Sequence, residues 1–128
     1  RMTTLYQVAA ANKGIVVGTG NKVEDFGVGF YTKYGDGGVD ISPIADCNKT
    51  QVWELGKELG ILKEIIDAPP TDGLWDDGRT DEGQLGLKYE ELEEAMENPN
   101  SPNRNKYENI RKQNMHKMEP IPVCIIPN

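Results

Sequence analysis

Residues 18–23 read GTGNKV, directly after the short apolar run Ile15, Val16 and Val17. Thr19 therefore leaves a strand-like segment, with its hydroxyl and the following N–H groups pointing off a sheet edge. Amide donors fanned from such a turn can hold a phosphate or an adenosine. An ordinary tight turn accounts for the same residues. The stretch is not a dinucleotide fingerprint. Val23 stands where the third glycine belongs, and more glycines arrive before a helix of normal length could form. Glu24 follows Thr19 by five residues. A carboxylate beside a phosphate-binding turn suits Mg²⁺, a hard cation that takes oxygen donors and shares them with phosphates. A solvated acid in the first turn of a helix is the commoner fate of a Glu.

The next block, FYTKYGDGG at residues 30–38, sets Lys33 between two tyrosines and Asp36 between two glycines. Aromatic rings stack on a base or a nicotinamide, and Lys33 can neutralise a phosphate. Gly37 and Gly38 allow close backbone approach. Asp40 can accept from a ribose hydroxyl or a ligand amide, or stand as a strand-end acid in water. Lys49 sits at the start of a predicted helix, where the dipole disfavours a cation by a few tenths of a kcal/mol or more. A bound phosphate would reverse that sign; a lysine pointing into solvent is the alternative. Thr71 follows two prolines that stiffen the entry to a long polar loop, residues 68–86. Such loops are usually functional or disordered. Trp75 within it is either a lid anchor or a ring packed locally. His116 is the only histidine and has no Cys or His neighbour, which argues against zinc. With Lys117 it makes a basic pair at a predicted helix C-terminus, a place the dipole favours anyway. No nucleophile elbow is present, so nothing supports a Ser-His-Asp or Cys-His hydrolase.

The elements that must position these residues follow from periodicity. Met2, Leu5, Tyr6 and Ala9 predict a first helix, ending near Asn12 with Gly14 in the left-handed stop position. Ile15–Val17 predicts a strand buried on both faces, and Val39 with Ile41 a second short strand before Pro43. Asn48 with Gln51 is a capping-box pair that starts a helix whose apolar stripe is Val52, Leu55 and Leu59, ended by Gly60. Leu85, Tyr89, Leu92 and Met96 mark an acidic amphipathic helix. Pro102 suits the first turn of a last helix running to about Met118, and Pro120, Pro122 and Pro127 extend the tail.

The chain has 128 residues, enough for one small domain. Its 14 Lys and Arg against 21 Asp and Glu give a formal charge of −7, which repels nucleic acid and anionic membranes at long range. An apolar fraction of 37% is low for a self-sufficient globular unit. No run is long enough to span a bilayer. Cys47 and Cys124 form no motif, and an intracellular, reducing setting is the simpler expectation.

Taken in order, RMTTLYQVA, VVGTGNKVED, GFYTKYGDGGVDISPIAD, KTQVWEL, APPTDGLWDDGRTDE and LGLKYEEL resemble the ammonia-dependent NAD synthetases. The likeness runs from Arg1 to about Met96, with His116 and Lys117 near the end. It implies an α/β fold of the N-type ATP pyrophosphatase kind: the C-terminal part of a Rossmann-like parallel sheet flanked by helices, with a helical C-terminal region. Residues 1–128 would then be one domain fragment, the C-terminal half of the enzyme. The implied reaction amidates deamido-NAD to NAD with ATP and ammonia. ATP first adenylates the nicotinic acid carboxylate, and ammonia then displaces AMP.

By the same resemblance Thr19, Lys49 and Thr71 are ATP contacts and Glu24 is the Mg²⁺ ligand. Lys33, Asp40, His116 and Lys117 are deamido-NAD contacts. The loop around Trp75 is implied to order over substrate. A cytoplasmic homodimer is implied for the full-length protein, with no nucleic-acid or membrane partner. The family's SGGxDS pyrophosphate motif is absent from these residues, as are its second Mg²⁺-binding acid and an arginine before Arg1. The isolated chain is therefore expected to be inactive. The alternative is a non-catalytic dimerisation or deamido-NAD-binding module made of the same residues.

Overall fold

The structure, a computed structural model, describes residues 1–127. The first helix is Met2–Ala11 (α1). Its C-terminus differs from expectation by one residue. Lys13, at φ 53°, takes the left-handed position assigned to Gly14. The reason is the hydrogen-bond count: Lys13 N–H reaches Ala10 O at 3.2 Å and Gly14 N–H reaches Ala9 O at 2.8 Å. That pair of bonds satisfies two orphan carbonyls and requires the residue before Gly14 to turn left-handed.

The expected parallel sheet is not present among the described residues. Val17 and Ile41 form one isolated parallel bridge, with Gly18 N–H on Ile41 O at 2.7 Å and Ile41 N–H on Val16 O at 3.4 Å. Both ends of this pairing are stopped chemically. The next bond in the ladder needs an N–H from Pro43, which has none. At the other end the Val16 N–H is taken by the Asp40 carboxylate, Oδ2 at 2.7 Å. The run is not buried on both faces either: Val16 is 6% exposed, but Ile15 and Val17 are 59% and 53% exposed.

A π-helical turn, Val23–Val28, follows. Asn21, 1% exposed, starts it: its Oδ1 accepts the N–H groups of Val23 at 3.0 Å and Glu24 at 3.1 Å. Gly29 ends it at φ 68°. A β-carbon on Gly29 would run into Asn114 and Met118 of the last helix, so glycine is needed both for the turn and for the close approach.

The helix Lys49–Glu58 (α2) begins at the expected cap, with Asn48 N–H on Gln51 Oε1 at 2.8 Å. Its first turn is also held from outside. Glu93 accepts the Thr50 N–H at 3.0 Å and the Thr50 hydroxyl at 2.7 Å. A carboxylate there meets both the free amides and the positive end of the dipole. Glu93→Ala is expected to lower unfolding free energy by about 1–2 kcal/mol, the usual worth of an N-cap. Urea midpoints measure it, with the exposed Glu90→Ala as the control that stays near wild type. The stripe expected on α2 is only partly covered, since Leu55 is 44% and Leu59 76% exposed.

A short helix, Lys63–Ile66 (α3), comes next. The long loop is not without structure: Asp81–Leu85 (α4) forms inside it, capped by Thr80, whose hydroxyl accepts the Gly83 N–H. Gly86 at φ 69° then separates Leu85 from Tyr89–Glu97 (α5). The last helix is Arg104–Met118 (α6). Pro102 lies in the turn before it rather than in its first turn. The core gathers Val23, Val28, Leu85, Tyr89, Leu92 and Tyr107 where α5, α6 and the π-helical turn meet. Residues 120–127 carry no regular structure. Among the described residues no helix is long and apolar enough to cross a membrane.

Candidate functional site

Two chain segments bring the first cluster together. The Lys22 N–H donates to Cys47 O at 2.8 Å, which pins the π-helical turn beside the start of α2. Glu24 on the turn then faces Lys49, the first residue of α2. Lys49 Nζ lies 3.2 Å from Glu24 Oε1, with both side chains under 20% exposed (18% and 17%). The charge conflict read at Lys49 therefore has an answer inside the chain: Glu24 supplies the negative partner that a phosphate was invoked to provide.

Tyr89 comes from below, out of the core. It is fully buried, and its hydroxyl donates to the same Glu24 Oε1 at 2.6 Å. The same hydroxyl lies 3.3 Å from Asp81 Oδ2. Lys49 Nζ stands 4.9 Å from the centre of the Tyr89 ring, a cation–π contact. Burial, then the Glu24 charge, push the Tyr89 phenol far above its ordinary value, so it remains a donor. Asp81 is 7% exposed, and its Oδ1 has no hydrogen-bond partner. Burial raises its pKa, the Tyr89 hydrogen bond opposes this, and the Glu24 charge adds to it.

Next to Glu24, Asp25 folds over Gly20, filling the space a β-carbon there would need. Burial, Glu24 and Asp36 push its carboxyl up to about 6.

The second feature is a cavity of about 710 Å³ between α1, the glycine-rich segment and the end of α6. Its polar groups include Arg1, Thr19, Tyr31, Asp36, Asp72 and Lys117. Lys117 Nζ donates to Gly29 O at 2.9 Å and lies 5.6 Å from the Tyr31 ring centre. Burial holds its pKa below the usual lysine value, against the pull of Asp36. A partly desolvated ammonium of this kind gains from an anion placed beside it.

The other expected site residues are distributed as follows. Lys33 reaches the same end of α6, where its Nζ donates to His116 O at 2.8 Å and Glu119 O at 3.4 Å. Lys33, His116 and Lys117 are thus neighbours, although Lys33 meets the backbone of His116 and not its ring. Asp40 spends Oδ2 on the Val16 N–H, and the Tyr6 hydroxyl lies 3.5 Å from its Oδ1. Thr71 is used within its own loop: its hydroxyl donates to Arg79 O at 3.1 Å and accepts the Gly73 N–H at 3.2 Å. No hydrogen bond among the described residues joins it to Thr19 or Lys49. Trp75 is 56% exposed and carries the Arg79 guanidinium 4.4 Å from its ring centre, so it is not packed into the core.

Sequence reasoning did not single out Asn21, Asp81 or Tyr89. Tyr89 hides in the apolar stripe of its helix. The signal it left was its hydroxyl, because a buried tyrosine needs a partner for its O–H.

Among the described residues no group of three or more His, Cys, Asp or Glu side chains is placed to hold a metal. Glu24 and Asp81 nevertheless converge on one hydroxyl. Among the described residues, hydrogen bonds fall on Glu24 Oε1 alone, and Asp81 Oδ1 is a buried acceptor with no partner. Two hard oxygen donors suit Mg²⁺, which keeps several waters and takes one or two carboxylates together with substrate phosphates.

Comparison with known proteins points one way. Residues 1–123 match the sequence profile described as NAD synthase. The NH(3)-dependent NAD(+) synthetase of Alkaliphilus oremlandii is 44% identical over 126 residues, 95% of this chain and 50% of that protein. The enzyme of the same description from Syntrophomonas wolfei is 44% identical over 129 residues, 99% of this chain and 51% of that protein. The chain thus spans about half the length of the curated relatives it matches. Among solved structures, NMN synthetase from Francisella tularensis superposes with a TM-score of 0.86 at 35% identity, covering 100% of this chain and 52% of that one. An NH3-dependent NAD synthetase from Campylobacter jejuni, solved with nitrate, gives 0.68 at 24% identity, over 98% and 52%. That second likeness concerns the fold alone.

Proposed function

This chain belongs to the NAD synthase family, and from that premise we propose that its residues serve the amidation of deamido-NAD to NAD with ATP and ammonia. The observation that carries the reading is the Glu24–Lys49 pair, 3.2 Å apart and largely screened from water, beside a glycine-rich turn that lines a cavity. A cation and a carboxylate held together at such a turn are what a nucleoside triphosphate and its metal need.

Adenylation joins a carboxylate oxygen of the substrate to the α-phosphorus of ATP and expels pyrophosphate. Negative charge builds on the phosphoryl oxygens in that step. Lys49, its ammonium already oriented by Glu24, stabilises this charge without having to reorganise. Mg²⁺, held by Glu24 with Asp81 at hand, would offset phosphate charge when bound. Thr19 and Thr71 supply hydroxyl donors to ATP. Thr71 must first give up its loop-internal hydrogen bonds, which fits a loop that rearranges as substrate enters. Ammonia then attacks the acyl carbon and AMP leaves. Lys117, Lys33 and His116 at the end of α6, together with Asp40, form the deamido-NAD side. Closure of the loop around Trp75 keeps water from the acyl adenylate.

The whole protein is expected to act as a homodimer, with residues 1–128 as a single domain fragment, the C-terminal half of the enzyme. The test is production of AMP and NAD by the whole protein from deamido-NAD, ATP and an ammonium salt. AMP release that needs both ATP and deamido-NAD supports the reading; no AMP under any combination refutes it. The structural likeness to an NMN synthetase favours one second reading, in which the amidated product is the mononucleotide NMN. Offering the dinucleotide and mononucleotide acids in competition separates the two by the product formed.

A further inference from the structure

We propose that Tyr89 is a positioning residue for the metal and nucleotide: its hydroxyl fixes which oxygen of Glu24 is turned outward. The proposal rests on the reading of Glu24 as a Mg²⁺ ligand. A carboxylate on a flexible side chain can present either oxygen, or both, to a cation. Here Tyr89 at 2.6 Å and Lys49 at 3.2 Å both fall on Oε1. Among the described residues nothing donates to Oε2, which is left for a ligand.

The donor that sets this choice is itself immobile. Tyr89 is 0% exposed, and its ring meets Trp53 edge-on, 6.2 Å between centres at 77°. Its backbone N–H is held by Glu82 Oε1 at 3.1 Å. A group locked in the core thus orients a group at the site. Lys49 is a weaker guide, because its contact is longer and its ammonium is shared with the phosphate it serves.

Asp81 gives a second, independent sign that something is meant to bind here. It is 7% exposed and its Oδ1 has no partner, although buried acceptors are nearly always satisfied. A phenol has one proton. At 2.6 Å against 3.3 Å that proton belongs to Glu24, which leaves Asp81 under-satisfied. Tyr89 therefore fixes Glu24 through its one proton, and among the described residues Glu24 Oε2 and the nearby Asp81 Oδ1 are left without a donor. Carboxylates that bind metals are commonly held by such hydrogen bonds, and loss of one costs about 10–100-fold in metal affinity.

The test uses the whole protein and Mn²⁺ as the probe, with free Mn²⁺ counted by electron paramagnetic resonance in the presence of ATP. Tyr89→Phe keeps the ring against Trp53 and under Lys49 and removes only the hydroxyl. It is expected to weaken Mn²⁺ binding about 10–100-fold. Combined with Glu24→Gln, it should add no further loss, because it acts through Glu24. If Tyr89→Phe lowers the melting temperature but binds Mn²⁺ like wild type, while Glu24→Gln does not, the hydroxyl is only a core hydrogen bond and the proposal falls. If Glu24→Gln itself leaves Mn²⁺ binding unchanged, the metal reading falls first and takes the proposal with it. A second measurement does not depend on the Phe variant folding. The ¹⁹F resonance of 3-fluorotyrosine placed at position 89 is expected to shift when Mg²⁺ and ATP are added together, and to stay put in Glu24→Gln. An unmoved resonance in the otherwise wild-type protein overturns the proposal.

Discussion

Lys49→Met in the whole protein is expected to reduce kcat by about 10²–10³, the usual cost of removing one preorganised charge that meets a developing anion. The KM for ATP should rise as well, since the ammonium also meets the ground-state phosphates. Two effects combine in this variant. The transition state loses its cation, and Glu24, 17% exposed, loses its one charged partner among the described residues. Removing one member of a shielded pair leaves the other's charge uncompensated, so the variant should also melt at a lower temperature. Lys49→Arg separates the two. It restores the charge and most of the stability, but a planar fork does not replace a compact ammonium, so kcat recovers only in part. Steady-state AMP release alongside thermal melts measures both. Unchanged kcat in Lys49→Met would remove Lys49 from the reaction.

Leu92→Ala is expected to cost about 2–5 kcal/mol of unfolding free energy, the range for deleting a fully buried leucine. Leu92 is 0% exposed and belongs to a cluster of eight buried residues among those described. The π-helical turn, α5 and α6 all lean on that cluster. A loss of this size is a large share of the roughly 5–15 kcal/mol a folded domain holds. Since Glu24 rides on the π-helical turn and Tyr89 lies one turn before Leu92, the site should loosen with the core. Urea unfolding of the whole protein gives the cost directly; a midpoint shift no larger than that of an exposed leucine such as Leu59 would contradict the assignment.

Helices that carry their own start and stop signals were legible in the sequence. Asn48 with Gln51 marked the beginning of α2, and Gly60, at φ 68°, followed its last turn. The sheet was not legible in this form. Apolar runs at Ile15–Val17 and around Ile41 indicated strands, and parallel pairing between them is what forms. Its extent depends on two details that periodicity does not carry: a missing N–H at Pro43 and a side-chain carboxylate at Asp40 that takes the place of a backbone acceptor. The π-helical turn was hidden because its start depends on a buried Asn21 side chain, and its end on the fit of Gly29 against α6. At the site, five of the eight residues marked by resemblance fall into two groups, Glu24 with Lys49 and Lys33 with His116 and Lys117, while among the described residues Thr19, Asp40 and Thr71 are hydrogen-bonded to neither. What joins the first group could not be read. Tyr89 lies 65 positions from Glu24 in the chain, and in an apolar stripe a tyrosine looks like any core residue.

The tail after α6 carries Ile121, Val123, Ile125 and Ile126, each at least 62% exposed. Apolar residues in an extended segment are the raw material of cross-β assembly, in which identical segments stack through their backbone N–H groups. Pro120, Pro122 and Pro127 interrupt that donor row along and just beyond the apolar stretch. A copy of the tail laid against another would find gaps where hydrogen bonds are required. The prolines are placed as gatekeepers would be, and replacing Pro122 is expected to raise fibril formation at high protein concentration, read by thioflavin T fluorescence.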